Sequence, residues 1–343
     1  MEPACLVSMP KVLLHEHLDG GLREQTLLDL LAARGLASPA TDAAALGRWF
    51  DARVHAGSLV EYLRGFDLTV AAMATPEGLE RVAYEAAEDA LADGCVLAEF
   101  RIAPLLFEAH GLSGDEAVRA MLAGLRRSAL PSGLIVCAMR HLSAADTLRA
   151  AQLAIAWHGR GVVGFDLAGA EVGHPPGDHA QALAAAREAG LPLTLHAGEA
   201  DAAERVVEAA RMGATRIGHG VRLADALADP ARRGLVDEAL QRGLHLEICP
   251  SSNVHTGAAE SIEAHPVASL WRAGLSVGIN TDNRLMSRTR LSHELALLRR
   301  HTALGDDDLT RMQVEAARHS FLPAVARDAA ESAVQAWRAR AGI

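Results

Sequence analysis

The stretch LPLTLHAGE, residues 191–199, decides the fold. It begins as a short apolar run and ends in a polar tip, His196-Ala197-Gly198-Glu199. Three other stretches have the same form: VLLHEH at 12–17, RIGHG at 216–220 and LSVGINTDN at 275–283. Each reads as a buried parallel strand followed by side chains that carry chemistry. A closed parallel barrel places the C-terminal ends of all its strands on one face, so tips hundreds of residues apart meet there.

Working outward, apolar runs alternate with helical patterns along the whole chain. Strands are predicted at Lys11–His17, Cys95–Ile102, Leu134–Met139, Val162–Leu167, Leu191–His196, Arg216–His219, His245–Cys249 and Ser276–Asn280. Helical spacing marks Pro76–Ala92, Asp115–Ser128, Ala144–His158, His179–Ala189 and Ala200–Met212. Gly94, Gly133, Gly161, Gly190, Gly243 and Gly274 punctuate the helix-to-strand joins, where a helix stop is expected. Eight alternations predict an α/β fold, a (β/α)8 TIM barrel, and 343 residues suit one barrel domain over 1–343 with an insertion. No Gly-x-Gly-x-x-Gly follows the first strand, which argues against a dinucleotide fold.

The insertion is residues 20–75, after the first strand. It holds Trp49, Phe50, Tyr62 and Phe66, four of the chain's twelve aromatic residues. Leu59, Tyr62, Leu63 and Phe66 share one helical face. That face either packs onto the barrel or forms an apolar lid that touches substrate. Residues after 290 read as two or three closing helices.

Composition narrows the function. Half the residues are hydrophobic, enough for a large core. No apolar run reaches the about 18 residues that span a membrane, and MEPACLVSMPK lacks the signal-peptide pattern, so a cytoplasmic enzyme is expected. The formal net charge of -10, with no basic stripe, argues against nucleic acid and for a small-molecule partner. Cys5, Cys95, Cys137 and Cys249 have no paired spacing and read as reduced thiols. Lys11 is the chain's only lysine and starts a strand, the wrong end of a barrel for catalysis. Schiff-base chemistry and a lysine-bridged metal pair are thereby disfavoured.

His15 and His17 lie two apart on a strand, so both face the barrel interior. Burying two imidazoles needs something to satisfy them. With His196 and Asp282 they make a zinc ligand set that leaves a position for water, and zinc brings the pKa of its water toward about 7. Glu199 is not needed as a ligand and is free to carry a proton. His219, between two glycines, is placed to orient the attacking hydroxide. The set implies hydrolysis of an amide-like bond or of an aromatic C–NH2.

These motifs resemble the adenosine deaminases over nearly the whole chain. The match is carried by PKVLLHEHLDGGL at 10–22, SLVEYLRGFD at 58–67, GVVGFDLAGAE at 161–171, LHAGE at 195–199, RIGHG at 216–220, CPSSN at 249–253 and NTDN at 280–283. The resemblance implies a zinc (β/α)8 barrel that converts adenosine and 2′-deoxyadenosine to the inosine forms and ammonia, in purine salvage. It implies one zinc on His15, His17, His196 and Asp282, the last also counted as catalytic. Glu199 would protonate purine N1, and His219 would orient hydroxide at C6. Gly169 would offer its N–H to purine N3, and Asp19 would hold the ribose. One departure stands out: Asn283 occupies the place of a usual second aspartate, and its amide can donate to N7 without a titrating proton.

Three relatives compete. Adenine deaminases carry Glu where Asp19 stands here. The 6-aminodeoxyfutalosine deaminases tend to lose the Leu-Asp-Gly after the histidines. An AMP deaminase would need a phosphate site, and no basic cluster lies near the motifs. A binuclear amidohydrolase lacks its bridging lysine here, and a non-enzymatic barrel would have lost catalytic groups that this chain keeps.

Overall fold

A computed structural model describes the backbone at residues 3–54 and 59–343, with side chains at 6–53 and 65–343. Eight strands follow in chain order: β1 Lys11–His17, β2 Cys95–Ile102, β3 Ser132–Met139, β4 Val162–Ala168, β5 Thr194–Ala197, β6 Arg216–His219, β7 His245–Ile248 and β8 Ser276–Ile279. Every pair between neighbours is parallel, in two runs, β1 to β4 and β5 to β8. A parallel bridge from Phe165 to Leu193 joins the runs on one side, and one from Glu16 to Asp282 joins them on the other. The ring therefore closes, as the eight alternations predict.

Two local differences from the sequence reading have plain causes. The fifth strand starts at Thr194 instead of Leu191, because Pro192 has no N–H for the ladder. Gly133 is no helix stop but lies inside β3. A Cβ there would come within 2.7 Å of Val163, so glycine lets the neighbouring strand approach.

The seam between β8 and β1 is closed by a side chain. Asn280 Oδ1 accepts from the N–H groups of Leu14 at 2.8 Å and His15 at 3.0 Å. Beyond it the Asp282 N–H donates to His15 O at 3.0 Å, and the His17 N–H to Asp282 O at 2.8 Å. Both histidines are thus locked to the β8 tip. On the opposite side of β1, Glu16 points away from the interior. It accepts from Arg284 Nε at 2.7 Å and Thr281 Oγ1 at 3.0 Å, and is fully buried.

The insertion folds as helices Glu24–Ala33, Ala43–Val54 and Leu59–Met73, and the C-terminal segment as Leu291–His301, Asp306–His319 and Ala324–Ala341. Gln313 on the second closing helix accepts the Val12 N–H at 2.9 Å. At the N-terminal end of β1, buried Lys11 donates to the carbonyls of Leu6, Val7 and Met9 at 2.7–3.0 Å. Its role is structural, as its place at the wrong end of the barrel implies.

Breaking one partner of a buried ion pair strands the other charge, at about 3–5 kcal/mol. Arg284→Met should lower stability by that order in denaturant unfolding. Adding Glu16→Leu should recover more than half of the loss, because the stranded carboxylate is then gone.

Candidate active site

The strand tips meet as the barrel geometry requires. His15 and His17 end β1, His196 lies on β5, and Asp282 follows β8. One ligand atom from each lies within 4.8 Å of all the others. His17 Nε2 is 3.2 Å from His196 Nε2, and Asp282 Oδ1 is 3.4 Å from His15 Nε2 and 3.5 Å from His17 Nε2. The outer nitrogens are already engaged. His15 Nδ1 donates to Glu247 Oε2 at 2.9 Å, and His196 Nδ1 to Asp166 Oδ2 at 2.9 Å. An ionised carboxylate only accepts, so each Nδ1 holds the proton and each Nε2 turns a lone pair inward. His15 Nε2 is buried without a hydrogen-bond partner. Burial holds His17 well below the ordinary histidine value, which keeps it neutral as a ligand must be. Lone pairs and a carboxylate converging with no proton between them fit a divalent cation of zinc type.

The carboxylates behind the histidines stay charged for a stated reason. Burial would raise Glu247, but Arg101 and Arg216 outweigh it and hold it well below the usual range. Burial is likewise overcome at Asp166 by His196 and Arg101.

Backbone strain marks two of the tips. His219 has φ 66° and Asp282 φ 58°. This left-handed region costs a residue with a Cβ about 1–2 kcal/mol, and it gathers at functional sites. Gly218 precedes His219 because a Cβ there would come to 3.0 Å from His15 Cε1 and 3.2 Å from His196 Cγ.

Glu199 stands on a loop held from below. The buried Glu171 carboxylate accepts the N–H groups of Gly198, Glu199 (3.0 Å), Ala200 (2.7 Å) and Asp201 (3.0 Å). Glu199 Oε1 accepts from Thr256 Oγ1 at 2.8 Å, and Oε2 lies 3.5 Å from His219 Nε2. Asp282 Oδ2 accepts from Ser252 Oγ at 2.5 Å.

The other predicted contacts are placed as follows. Asp19 sits one short turn past His17, with Oδ1 4.0 Å from His17 Nδ1. Burial raises its carboxyl to about 7. Gly169 follows β4 at φ 91°, and a Cβ there would meet His141 Nδ1 at 2.9 Å. Asn283 is buried beside Asp282, and its side chain makes no capping bond to the helix Arg284–Ser287. It packs instead on Gly20, where a Cβ would overlap its amide. Phe66 is half-buried against the hydrophobic core. Leu59, Tyr62 and Leu63 lie outside the described side chains.

Sequence reasoning gave no role to Asp166, Glu247, Arg101, Glu171, Ser252 or Asn253. The signal was a lone charge within an apolar run, Asp166 in VVGFDLA and Glu247 in HLEIC. Such a charge needs a buried partner.

With the geometry in hand, comparison with known proteins is decisive. A family model described as adenosine deaminase matches residues 10–337. The chain belongs to the adenosine deaminase family. It is therefore an enzyme, a deaminase that hydrolyses C–N bonds, as its motifs imply. Among this family, the adenosine deaminase of Mycobacterium avium (strain 104) is 46% identical over 334 residues, covering 92% of this chain and 91% of its own. Two solved structures share the fold. Adenine deaminase from Arthrobacter aurescens has a TM-score of 0.86 at 23% identity, covering 96% of this chain and 99% of its own. An amidohydrolase from Burkholderia ambifaria, solved with bound Zn, has a TM-score of 0.88 at 23% identity, covering 99% of this chain and 93% of its own. Among the described residues, no helix is long and apolar enough to cross a membrane.

Ser252 orients Asp282, and loss of a group that orients a ligand typically costs about 10–100-fold in metal affinity. Ser252→Ala should weaken divalent-metal binding at the lower end of that range in competition titration with a chromogenic chelator. Its thermal midpoint should stay within a few degrees of the parent's.

Proposed function

We propose that this adenosine deaminase family member hydrolyses adenosine and 2′-deoxyadenosine to inosine, deoxyinosine and ammonia, in cytoplasmic purine salvage, with the whole of 1–343 as one catalytic unit. One observation carries the reading. Inward lone pairs of His15 and His196 converge with His17 and Asp282 within 4.8 Å, beside a carboxylate, Glu199, that is not part of the cluster. His15, His17, His196 and Asp282 would hold one zinc ion. When bound, zinc supplies the Lewis acidity that makes water a nucleophile near neutral pH.

The remaining roles belong to the chain itself. Glu199, held by Thr256 and by the Glu171-pinned loop, protonates purine N1 as water adds at C6. His219 orients the attacking oxygen. Gly169 donates its N–H to purine N3, and its positive φ aims that group from the β4 tip. Asp19 accepts from a ribose hydroxyl, and its buried carboxyl finds in the sugar a polar partner. Asn283, buried beside Asp282, donates its amide to N7. Leu59, Tyr62, Leu63 and Phe66, on the helix Leu59–Met73, cover the apolar side of the substrate, Phe66 from its seat on the core.

A side-by-side ultraviolet assay with adenosine, deoxyadenosine, adenine, AMP and 6-aminodeoxyfutalosine tests the substrate. Adenosine and deoxyadenosine should be deaminated at least tenfold faster than the others. Equal or faster use of adenine or aminodeoxyfutalosine by the parent enzyme would replace this reading with one of those activities.

Glu199→Gln removes the proton carrier without touching the cluster. Turnover should fall by roughly 10²-fold or more, the scale of general acid catalysis, while bound zinc by elemental analysis stays at one per chain. Loss of the metal in this variant would make Glu199 a ligand.

A further inference from the structure

Unlike His15 and His196, His219 has no carboxylate hydrogen-bonded to its outer nitrogen. A chain of neutral groups reaches it instead. Asn253 Nδ2 lies 3.0 Å from His219 Nδ1, and Asn253 Oδ1 lies 3.2 Å from His265 Nε2. His265 Nδ1 accepts the backbone N–H of Val267 at 3.1 Å. Asn253, His219 and His265 are all buried.

The protons along this chain are fixed by its far end. A backbone N–H can only donate, so His265 Nδ1 presents a lone pair. The neutral ring then carries its proton on Nε2 and gives it to Asn253 Oδ1. The amide therefore turns its N–H2 to His219, whose Nδ1 must accept. Reversing the amide would leave both nitrogens of His265 as acceptors, which a neutral imidazole cannot supply. A cationic His265 would aim a second N–H at that of Val267, and burial lowers this group to about 4.

We propose that Asn253 and His265 are positioning residues that fix the proton of His219 on Nε2, so that His219 serves as a hydrogen-bond donor to the attacking oxygen and not as the base that takes its proton. This rests on the deamination reading above. Nε2 is the nitrogen that faces the site, 3.5 Å from Glu199 Oε2. The lone pair a base would need is on the other side of the ring, bonded to Asn253. Glu199, which accepts from Thr256, is left as the acceptor for the water's proton and then as its donor to the purine. One carboxylate thus carries the proton between the two atoms, and His219 holds the oxygen in place.

Long-range 1H–15N correlation spectra of zinc-loaded protein labelled with 15N-histidine read this directly. The His219 signals are assigned from their absence in His219→Gln. The expected result is a protonated Nε2 and a lone-pair Nδ1. Asn253→Asp keeps the shape but accepts from both rings, so the His219 proton should move to Nδ1. Its kcat for adenosine should fall by about 10²-fold, the scale of a misplaced catalytic proton, with KM changed less than about threefold. A parent protein with the His219 proton on Nδ1 overturns the proposal, and this holds even where the variant does not fold. So does an Asn253→Asp enzyme that loses kcat while its Nε2 proton stays, since that is a merely structural loss. If the parent shows the Nε2 proton yet leaves adenosine untouched, the substrate reading fails and the tautomer assignment stands.

Discussion

The barrel depends on the Arg101 guanidinium lying between two buried carboxylates. It donates to Glu247 Oε2 at 2.6 Å and to Asp166 Oδ2 at 2.8 Å, and all three side chains are fully buried. Each carboxylate grips one histidine of the candidate metal cluster, Glu247 holding His15 and Asp166 holding His196. The ladder continues downward. Arg216 donates to Glu247 Oε1 at 2.6 Å and to Glu99 Oε2 at 2.6 Å, and Glu99 accepts from Ser320 Oγ at 2.6 Å. A column of alternating charge thus runs inside the barrel from the closing helices to the histidines. Barrel interiors are more often filled with branched apolar layers. Taking each ion out of water costs several kcal/mol, and a pair repays this only when its bonds are complete. Here each member has two or more partners, so the orientation of the imidazoles and the integrity of the core are one problem.

The strain at His219 and Asp282 follows from the same crowding. Both residues must turn a polar group to the centre at the point where the chain leaves its strand. A left-handed step does this within one residue. The fold holds the step by bonds on either side: Asn280 and Asp282 stitch β8 to β1, and Gly220 (φ 70°) continues the turn after His219. The catalytic face is where local preference yields to the geometry of the whole ring.

Sequence patterns revealed what lies at strand tips and little of what lies beneath them. VLLHEH, LTLHAGE, RIGHG and INTDN each join a strand to a polar end, so the cluster His15, His17, His196 and Asp282, with Glu199 and His219, could be read from residue type and period alone. The contacts of Asp166, Glu247 and Arg101 could not. They are single charges within buried strands, and their partners come from other strands at separations of 29 to 232 residues. Local sequence carries no record of such pairing. Glu171, which pins the Glu199 loop, was hidden for the same reason. Gly133 misled because a glycine that admits a neighbouring strand looks, in sequence, like one that ends a helix. Asn283 was visible as a departure from a family pattern, yet only its packing on Gly20 separates it from an ordinary cap.

Lys11 has a consequence outside catalysis. The chain's only lysine is fully buried, with its ammonium group spent on three main-chain carbonyls. Amine-directed reagents, such as activated esters and aldehyde cross-linkers, meet no lysine side chain on the folded surface. Acetylation and ubiquitin attachment at lysine are closed to the folded protein as well. Arginine makes up the remaining permanently cationic residues, so the surface keeps its ion pairs without a lysine amine, and its nucleophilic nitrogens include imidazoles such as those of His110, His158 and His293.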